Sequence, residues 1–385
     1  MRAVIDARPA LDPRRTGVGH YTQQVIRHLP HMDPGSEYVA WYLHAKGLFR
    51  RRAFFGSVEA TNLTERASRF PARVFEPMSS RLGVPRVEWS VDFDVLLATN
   101  FLPPATRSPG VVLVVHDLAY ERLPETAPHM SGRWRRRFEG WLGRAAGVLV
   151  PSSSTRRDLL EFHGVDEDRV TVAPLGVDAA TYSKAPPAAV DAARQRFGID
   201  GPYALFVGGI EPRKNLDALV RAFATLPPGS RLVVAGGSVR WDPKAPERLD
   251  ATIAGLPAAV RPRVIRTGYV SDKDKVALLS GATLLAYPSL YEGFGFPVLE
   301  GFAAGVPVLT SDVSSLPEVA GDAAVLVDPH DEGAIAAGLR QLFDDPDLRS
   351  LLVAKGLARV ATFTWEATAK RTAEALHRAH GLVAG

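Results

Sequence analysis

The stretch EGFGFPVLE, at residues 292–300, follows the apolar run LLAY at residues 284–287. This order predicts a strand, a glycine turn and a helix, because glycine permits tight turns and proline is tolerated in the first turn of a helix. The helix is expected to run from about Pro297 to Ala304 and to stop at Gly305. Backbone N–H groups at the start of a helix lack partners and, with the helix dipole, attract anions. The stretch therefore predicts an anion site between two carboxylates.

Those carboxylates belong to Glu292, just before the turn, and to Glu300, within the first turns of the predicted helix. One can bind hydroxyl groups at one end of a ligand and the other can bind hydroxyl groups at the opposite end. Phosphate would then lie between them at the backbone amides. A sugar nucleotide has this layout, because its diphosphate separates the ribose from the transferred sugar.

A second charged motif, EPRKN at residues 211–215, follows the predicted strand that ends at Gly209. Arg213 can donate a fork of hydrogen bonds to two phosphate oxygens, and Lys214 supplies a mobile point charge. Cations at the start of a helix oppose its dipole, which favours a bound anion there. Without a metal, this pair is predicted to neutralise the charge that develops on a leaving diphosphate.

The length and the strand pattern predict two domains. A chain of 385 residues exceeds one ordinary core, and domains of about 180 residues each are expected. Short apolar runs followed by helical periodicity recur in both halves, which is typical of doubly wound parallel sheets. We therefore predict an α/β protein with two Rossmann-like domains, at residues 1–180 and 181–364, that face a central cleft.

Candidate ligand contacts also follow the predicted strands of the first half. Gly17 and Gly19 lie between a first strand and a helix, and His116 follows the apolar run VVLVV at residues 111–115. Ligands bind at the carboxyl ends of strands in open α/β sheets. The glycine loop does not match a dinucleotide fingerprint, because Thr22 stands where the third glycine is needed. A dehydrogenase is therefore disfavoured.

The amino-acid composition limits the possible catalytic chemistry and the expected cellular location. The chain has no cysteine, which excludes disulfides and thiolate catalysis, and its 10 histidines show no paired metal spacing. We predict no metal and no cofactor. The start, MRAVID, is typical of a strand, and no apolar run approaches the roughly 20 residues of a spanning helix. A cytoplasmic protein is expected.

A mild basic excess, with a formal net charge of +4, includes the cluster RWRRRF at Arg133–Phe138. The cluster is interpreted either as a solvated surface or as a contact with an anionic acceptor or the inner face of a membrane. Aromatic residues that interleave the arginines favour the second interpretation. No recognition motif accompanies the charge, so nucleic acid is not expected as a partner.

Several of these motifs together resemble the retaining glycosyltransferases of family 4. The resemblance is carried by residues 268–329, with EGFG at 292–295, and by EPRKN at 211–215. The E-x7-E element of that family corresponds to Glu292 and Glu300.

Further motifs narrow the resemblance to one branch of the family. They are IDAR at residues 5–8, GVGHYT at residues 17–22, the pair His116-Asp117, and SSLPEV at residues 314–319. These look like the branch that includes many bacterial mannosyltransferases of surface polysaccharides.

The resemblance implies a GT-B fold, in which the second domain binds most of the donor and the C-terminal helix, at about 365–385, returns to the first domain. It assigns catalysis to His116, Arg213, Lys214 and Glu292. It assigns donor binding to Gly17, Gly19, Gly209, Arg213, Lys214, Tyr269, Val270, Glu292, Gly293, Phe294, Gly295, Phe296, Leu299 and Glu300. In that scheme Glu300 holds the ribose, and Glu292 holds the transferred sugar. One position departs from it, because some members carry the phosphate arginine directly after the strand's glycine, where this chain has Gly209-Ile210.

The predicted function is metal-independent, retaining transfer of a hexose from a nucleotide-diphosphate sugar to a hydroxyl of a carbohydrate, glycolipid or small-molecule acceptor. The branch favours mannose from GDP-mannose, while UDP-glucose and UDP-N-acetylglucosamine stay open as donors. A sugar-nucleotide epimerase of similar architecture and a catalytically silent binding subunit are the alternatives. The motif around Glu292 and the intact pair Arg213-Lys214 favour transfer.

Overall fold

The computed structural model describes residues 1–11, 17–44, 58–71, 78, 82–127, 130, 132–239 and 241–384. The chain divides into two compact units. The first contains Met1–Leu118, Met130–Gly176 and Thr364–Gly385, and the second contains Ala119–His129 and Val177–Phe363. Each unit is built on one parallel β-sheet, and the predicted α/β fold with two Rossmann-like sheets is confirmed.

Within the described residues, the sheet of the first unit has seven strands in the order β3-β2-β1-β4-β5-β6-β7. They are β1 (Arg2–Asp6), β2 (Glu37–His44), β3 (Leu63–Pro71), β4 (Val95–Ala98), β5 (Val111–Val114), β6 (Gly147–Val150) and β7 (Val170–Val172). All residues of β4 and β5 are buried, as expected for apolar runs in a parallel sheet covered on both faces. The strand order reverses between β1 and β4, which marks a topological switch point.

The second sheet has six strands in the described part of the chain, in the order β10-β9-β8-β11-β12-β13. They are β8 (Tyr203–Val207), β9 (Arg231–Ala235), β10 (Val264–Gly268), β11 (Leu284–Tyr287), β12 (Val308–Ser311) and β13 (Ala324–Val327). Parallel pairing joins β8 to β11 at the switch point, with Leu284 opposite Ala204 and Leu285 opposite Leu205.

Helices connect the strands and cover the sheets. In chain order they are α1 (Gly17–Met32), α2 (Ala119–Arg122), α3 (Arg133–Arg144), α4 (Ser153–His163), α5 (Pro187–Phe197), α6 (Leu216–Ala224), α7 (Ala245–Ala254), α8 (Asp272–Gly281), α9 (Phe296–Ala303), α10 (Leu316–Ala320), α11 (Glu332–Asp344), α12 (Pro346–Val360) and α13 (Trp365–Ala384). Among the helices described, none combines the length and the apolar character needed to cross a bilayer.

The C-terminal helix α13 belongs to the first unit, as predicted, and packs on α1. The hydroxyl of Thr368 donates to the carbonyl of Pro174 at 2.6 Å. A Cβ atom at Gly176 would lie 2.3 Å from the backbone nitrogen of Trp365, so only glycine allows this approach. The segment that follows β7 and the start of α13 thus pack in close backbone contact.

Candidate active site

Two neighbouring strands of the second sheet bring the charged residues together. Strand β8 ends at Val207 and leads through a glycine pair into a 3-10 turn at Pro212–Lys214, while β11 ends at Tyr287. The backbone N–H of Leu290 donates to the carbonyl of Arg213 at 2.8 Å. Because β8 and β11 are parallel neighbours, their carboxyl ends meet at one edge of the sheet, where ligands bind in this fold class.

Glu292 is buried at this edge and accepts hydrogen bonds from several donors. Arg213 Nη1 donates to its Oε2 atom at 2.9 Å, and Lys214 Nζ donates to its Oε1 atom and to the hydroxyl of Tyr287. The Tyr287 hydroxyl in turn donates to Oε1 at 2.7 Å. The structure therefore unites three residues predicted from two separate motifs. It adds Tyr287, which the sequence pattern assigned only to a strand.

A second buried carboxylate, Glu211, lies beside the same cations. Its Oε1 atom is 2.9 Å from Arg213 Nη2 and 4.0 Å from Lys214 Nζ. The sequence placed Glu211 in the EPRKN motif without a role. Its buried position next to both cations depends on the 3-10 turn, which the sequence pattern did not predict.

Burial and neighbouring charges together shift the pKa values of three groups in this cluster. Burial raises the pKa of Glu292, but Arg213, Lys214 and the hydrogen bonds from Lys214 and Tyr287 outweigh it and lower that pKa to about 2. Burial and the charge of Arg213 lower the pKa of Lys214, against the attraction of Glu292 and Glu211. Burial and the charge of Glu292 raise the pKa of Tyr287. At neutral pH Glu292 is therefore a carboxylate that can accept hydrogen bonds but cannot donate a proton.

The glycine turn after Glu292 is held by two serines of a later loop. Ser314 Oγ accepts from the backbone N–H of Glu292 at 3.0 Å, and Ser315 Oγ donates to the carbonyls of Glu292 and Phe294 at 2.8 and 2.7 Å. Gly295 has a φ of 118°, which disfavours any side chain. The turn is thus fixed before a ligand binds.

Helix α9 begins at Phe296 and ends at Ala303, one residue earlier at each end than predicted. Its start carries the backbone amides that the sequence pattern assigned to a phosphate. The predicted donor residues Gly293, Phe294, Gly295, Phe296 and Leu299 form this turn and the first helical turns. The side chain of Leu299 is fully buried, so only its backbone can face a ligand.

Glu300 belongs to a separate cluster on the same helix. Its Oε1 atom is 2.9 Å from Lys275 Nζ, which also donates to the hydroxyl of Tyr182 at 2.8 Å. Burial lowers the pKa of Lys275, but the charge of Glu300 and the contact with Tyr182 outweigh burial and raise it. The sequence pattern gave no role to Lys275 or Tyr182, because 25 and 118 residues separate them from Glu300.

The strand-end glycines allow unusually close backbone packing. A Cβ atom at Gly236 would lie 1.8 Å from the carbonyl oxygen of Gly208, and one at Gly209 would lie 2.6 Å from Val239 Cγ1. An arginine at position 209, as in some family members, is therefore obstructed here by Val239. Tyr269, which follows β10, is 78% exposed.

Of the predicted donor-binding residues Tyr269 and Val270, the first is exposed and the second is half-buried. Both stand after the carboxyl end of β10, in the second unit.

The remaining predicted site residues lie in the first unit. His116 follows β5, and its Nε2 atom is 2.8 Å from the carbonyl oxygen of Thr99. That carbonyl can only accept, so Nε2 carries the proton and Nδ1 of the neutral ring is an acceptor. Burial lowers the pKa of His116, which favours this neutral form. Gly17 and Gly19 are the first and third residues of α1.

The basic cluster Arg133–Phe138 forms the start of α3. Phe138 is fully buried, and the ring of Trp134 stacks on it with centroids 5.6 Å apart. Both aromatic rings also contact Phe101 inside the first unit. Packing therefore accounts for the aromatic residues of the cluster, and Arg133, Arg135 and Arg136 remain exposed.

The two sheets and the buried cluster at the ends of β8 and β11 define a glycosyltransferase of the GT-B class. A family model described as Glycosyltransferase Family 4 matches residues 15–181, and one described as Glycosyl transferases group 1 matches residues 190–358. The O-antigen chain mannosyltransferase B of Escherichia coli is 30% identical over 94% of this chain and 95% of its own. The chain therefore belongs to glycosyltransferase family 4, which confirms the predicted resemblance.

Other similar proteins share parts of the chain or its fold. The D-inositol 3-phosphate glycosyltransferase of Thermobispora bispora is 37% identical over 62% of this chain and 58% of its own. Anabaena HepE, solved with UDP-glucose, has a TM-score of 0.73 at 18% identity, over 98% of this chain and 99% of its own. WaaG, a glycosyltransferase involved in lipopolysaccharide biosynthesis, has a TM-score of 0.66 at 17% identity, over 97% and 99%. These two structures support the fold.

Proposed function

We propose that this glycosyltransferase moves mannose from GDP-mannose to an acceptor hydroxyl, with retention of the anomeric configuration and without a metal ion. The observation that carries the proposal is the buried cluster in which Arg213 and Lys214 converge on Glu292. Preorganised cations at the edge of a parallel sheet suit a leaving diphosphate, and they supply the positive charge for which other enzymes use a metal.

The proposed reaction needs no strong base from the protein. The bond between the anomeric carbon and the diphosphate oxygen breaks, and the acceptor oxygen forms its bond on the same face of the sugar. The proton of the acceptor hydroxyl passes to an oxygen of the departing diphosphate. Arg213 and Lys214 stabilise the charge that develops there, so their contribution is electrostatic. Glu292 does not donate this proton, because its pKa is lowered to about 2.

The other predicted residues then orient the donor. Glu292 is proposed to accept hydrogen bonds from hydroxyls of the transferred hexose, and Glu300 from hydroxyls of the ribose. Nδ1 of His116 is proposed to accept a hydrogen bond from a further sugar hydroxyl, because the Nε2–H group donates to the carbonyl of Thr99. Orientation of this kind lowers a barrier by fixing the reacting atoms before the reaction.

Mannose is favoured as the transferred sugar because a relative that aligns over 94% of this chain is named a mannosyltransferase. UDP-glucose remains the second candidate donor, since the similarly folded Anabaena protein was solved with that compound. The O-antigen chain in the name of that mannosyltransferase favours a carbohydrate or glycolipid acceptor.

A donor panel tests the proposal. GDP-mannose, UDP-glucose and UDP-N-acetylglucosamine would be compared by thermal shift, because a ligand at 100 times its dissociation constant adds about 2.7 kcal/mol of stability. Turnover with mannosyl acceptors in the presence of EDTA, followed by NMR of the product anomer, tests metal independence and retention. Formation of an isomerised sugar nucleotide from donor alone would instead identify an epimerase. Absence of any shift would contradict the assignment of a nucleotide-sugar donor.

A further inference from the structure

Glu211 is a buried carboxylate that has no role in the proposed reaction. It is 8% exposed and precedes the 3-10 turn that carries Arg213 and Lys214. Its Oε1 atom is 2.9 Å from Arg213 Nη2, whereas the other terminal nitrogen, Nη1, donates to Glu292. A carboxylate so close to the cations opposes the binding of any other anion to them.

The charges of the cluster cancel without a ligand. Arg213 and Lys214 carry two positive charges, and Glu211 and Glu292 carry two negative charges. A nucleoside diphosphate adds further negative charge, which buried carboxylates repel strongly because the surroundings have a low dielectric constant. Glu292 has a proposed partner in the sugar hydroxyls, but Glu211 has none.

Arg213 does not depend on Glu211 alone for its position. Its Nη1 atom donates to Glu292 at 2.9 Å and to the carbonyl of Tyr291 at 3.1 Å. Loss of the charge at position 211 would therefore leave the guanidinium held through Nη1. A glutamine there would still offer a carbonyl oxygen as an acceptor.

We propose that Glu211 is an internal counter-charge that competes with the diphosphate for Arg213 and Lys214, and so weakens retention of the nucleoside diphosphate product. This inference rests on the proposed function, since it requires that these cations bind the diphosphate. In this role Glu211 touches no substrate atom and acts through its two neighbours. The counter-charge weakens binding of the product and so speeds its release. Product release limits turnover in many enzymes.

The test compares wild type with Glu211→Gln in binding GDP, UDP and inorganic pyrophosphate by isothermal titration calorimetry. Removal of a juxtaposed like charge is expected to tighten binding of the preferred nucleoside diphosphate and of pyrophosphate by about tenfold or more. The KM for the donor and the inhibition constant of the nucleoside diphosphate should fall together, and kcat should not rise. Glu211→Asp retains the charge and is the conservative control, with affinities expected near those of wild type.

A matched control is Glu332→Gln, which removes a half-exposed glutamate paired with Arg221 in the same unit. It should leave every affinity unchanged. Glu211→Ala provides a second neutral variant if the glutamine variant gives little folded protein. Unchanged or weaker binding of the diphosphates by a folded neutral variant would overturn the role of Glu211 while the proposed function stands. Failure of wild type to bind any of the probes would overturn both.

Discussion

Lys275 Nζ lies 2.9 Å from Glu300 Oε1, so the carboxylate proposed to hold the ribose already has a cationic partner. Lys275 is itself held by the hydroxyl of Tyr182 at 2.8 Å. The ion pair therefore holds one oxygen of Glu300 in place. Lys275 therefore adjoins the proposed donor site, although it lies outside every motif that the sequence analysis used.

Replacing Lys275 by methionine is expected to raise the KM for the donor by about tenfold while kcat changes less, because binding of the ribose is remote from the bond that breaks. Steady-state kinetics with the preferred donor measure this. The control is Lys355→Met, which removes an exposed ion pair with Asp322 and should leave both constants unchanged. A fall in kcat without a change in KM would place Lys275 near the reacting atoms instead.

Glu292→Ala and Lys214→Ala are each expected to lower kcat by about 10²-fold or more, the typical cost of losing a preorganised electrostatic group. Glu292 and Lys214 contact each other, so the double variant should lose less than the product of the two single losses. Initial rates of purified, folded variants provide the measurement. Rates near that of wild type in both single variants would contradict the site assignment.

Because the pKa of Glu292 is low in the folded state, the free energy of unfolding depends on pH in the acidic range. Folding lowers this pKa from 4.5 to about 2, so the ionised form stabilises the folded state. The contribution, about 3 kcal/mol, is complete above pH 4.5 and is lost as the pH falls towards 2.

Urea unfolding of wild type and Glu292→Gln at several pH values tests this dependence. The wild type should be more stable at pH 7, and the difference should shrink between pH 4.5 and 2. Glu332→Gln, at a half-exposed position, should show no comparable gap. A difference that stays constant through this range would mean that the Glu292 carboxylate does not contribute in the way described.

Gly209 is expected to resist substitution because of one neighbour. Its φ is not in the left-handed region, and among the residues that the structure describes a Cβ atom is opposed only by Val239 Cγ1 at 2.6 Å. Gly209→Ala should reduce the free energy of unfolding by about 1–3 kcal/mol, as overpacking does. In a double-mutant cycle with Val239→Ala, part of that loss should be recovered. Strict additivity would show that another contact limits position 209.

The exposed arginines of α3 allow a test of membrane contact. Arg133, Arg135 and Arg136, changed together to glutamine, should reduce co-sedimentation with anionic vesicles, at about 1 kcal/mol per arginine. The effect should disappear in high salt because charges at a surface are screened. Arg371→Gln, at an exposed arginine of α13, is the control. Equal sedimentation of wild type with neutral and anionic vesicles would contradict the contact.

Local patterns were sufficient to predict much of the fold. Apolar runs such as VVLVV at residues 111–115 became buried parallel strands, and a glycine turn with Pro297 marked α9 to within one residue. The family was also predicted, because its motifs are short and contiguous. Such patterns succeed where the physical cause is local, as with strand burial, turn geometry and helix capping.

Contacts between distant segments were not predictable in the same way. The Tyr287 hydroxyl, Lys275 and Tyr182 come to the glutamates through the order of the strands and helices, which no local spacing encodes. The aromatic residues of Arg133–Phe138 show the converse, since their spacing suggested a membrane surface while Trp134 and Phe138 pack inside the first unit. A pattern of residue types does not say which partner a side chain has.

Because α13 belongs to the first unit, it also determines the order in which the two units are completed during translation. A ribosome makes residues 177–363, the larger part of the second unit, before it makes Trp365–Ala384. Domains generally fold as units during synthesis, yet here the N-terminal unit lacks a covering helix until residues 177–363 of the second unit have been made. The buried face of α1 therefore stays open to solvent, or to chaperones, while the donor-binding sheet can already form. In this chain the first unit to be started is the last to be completed.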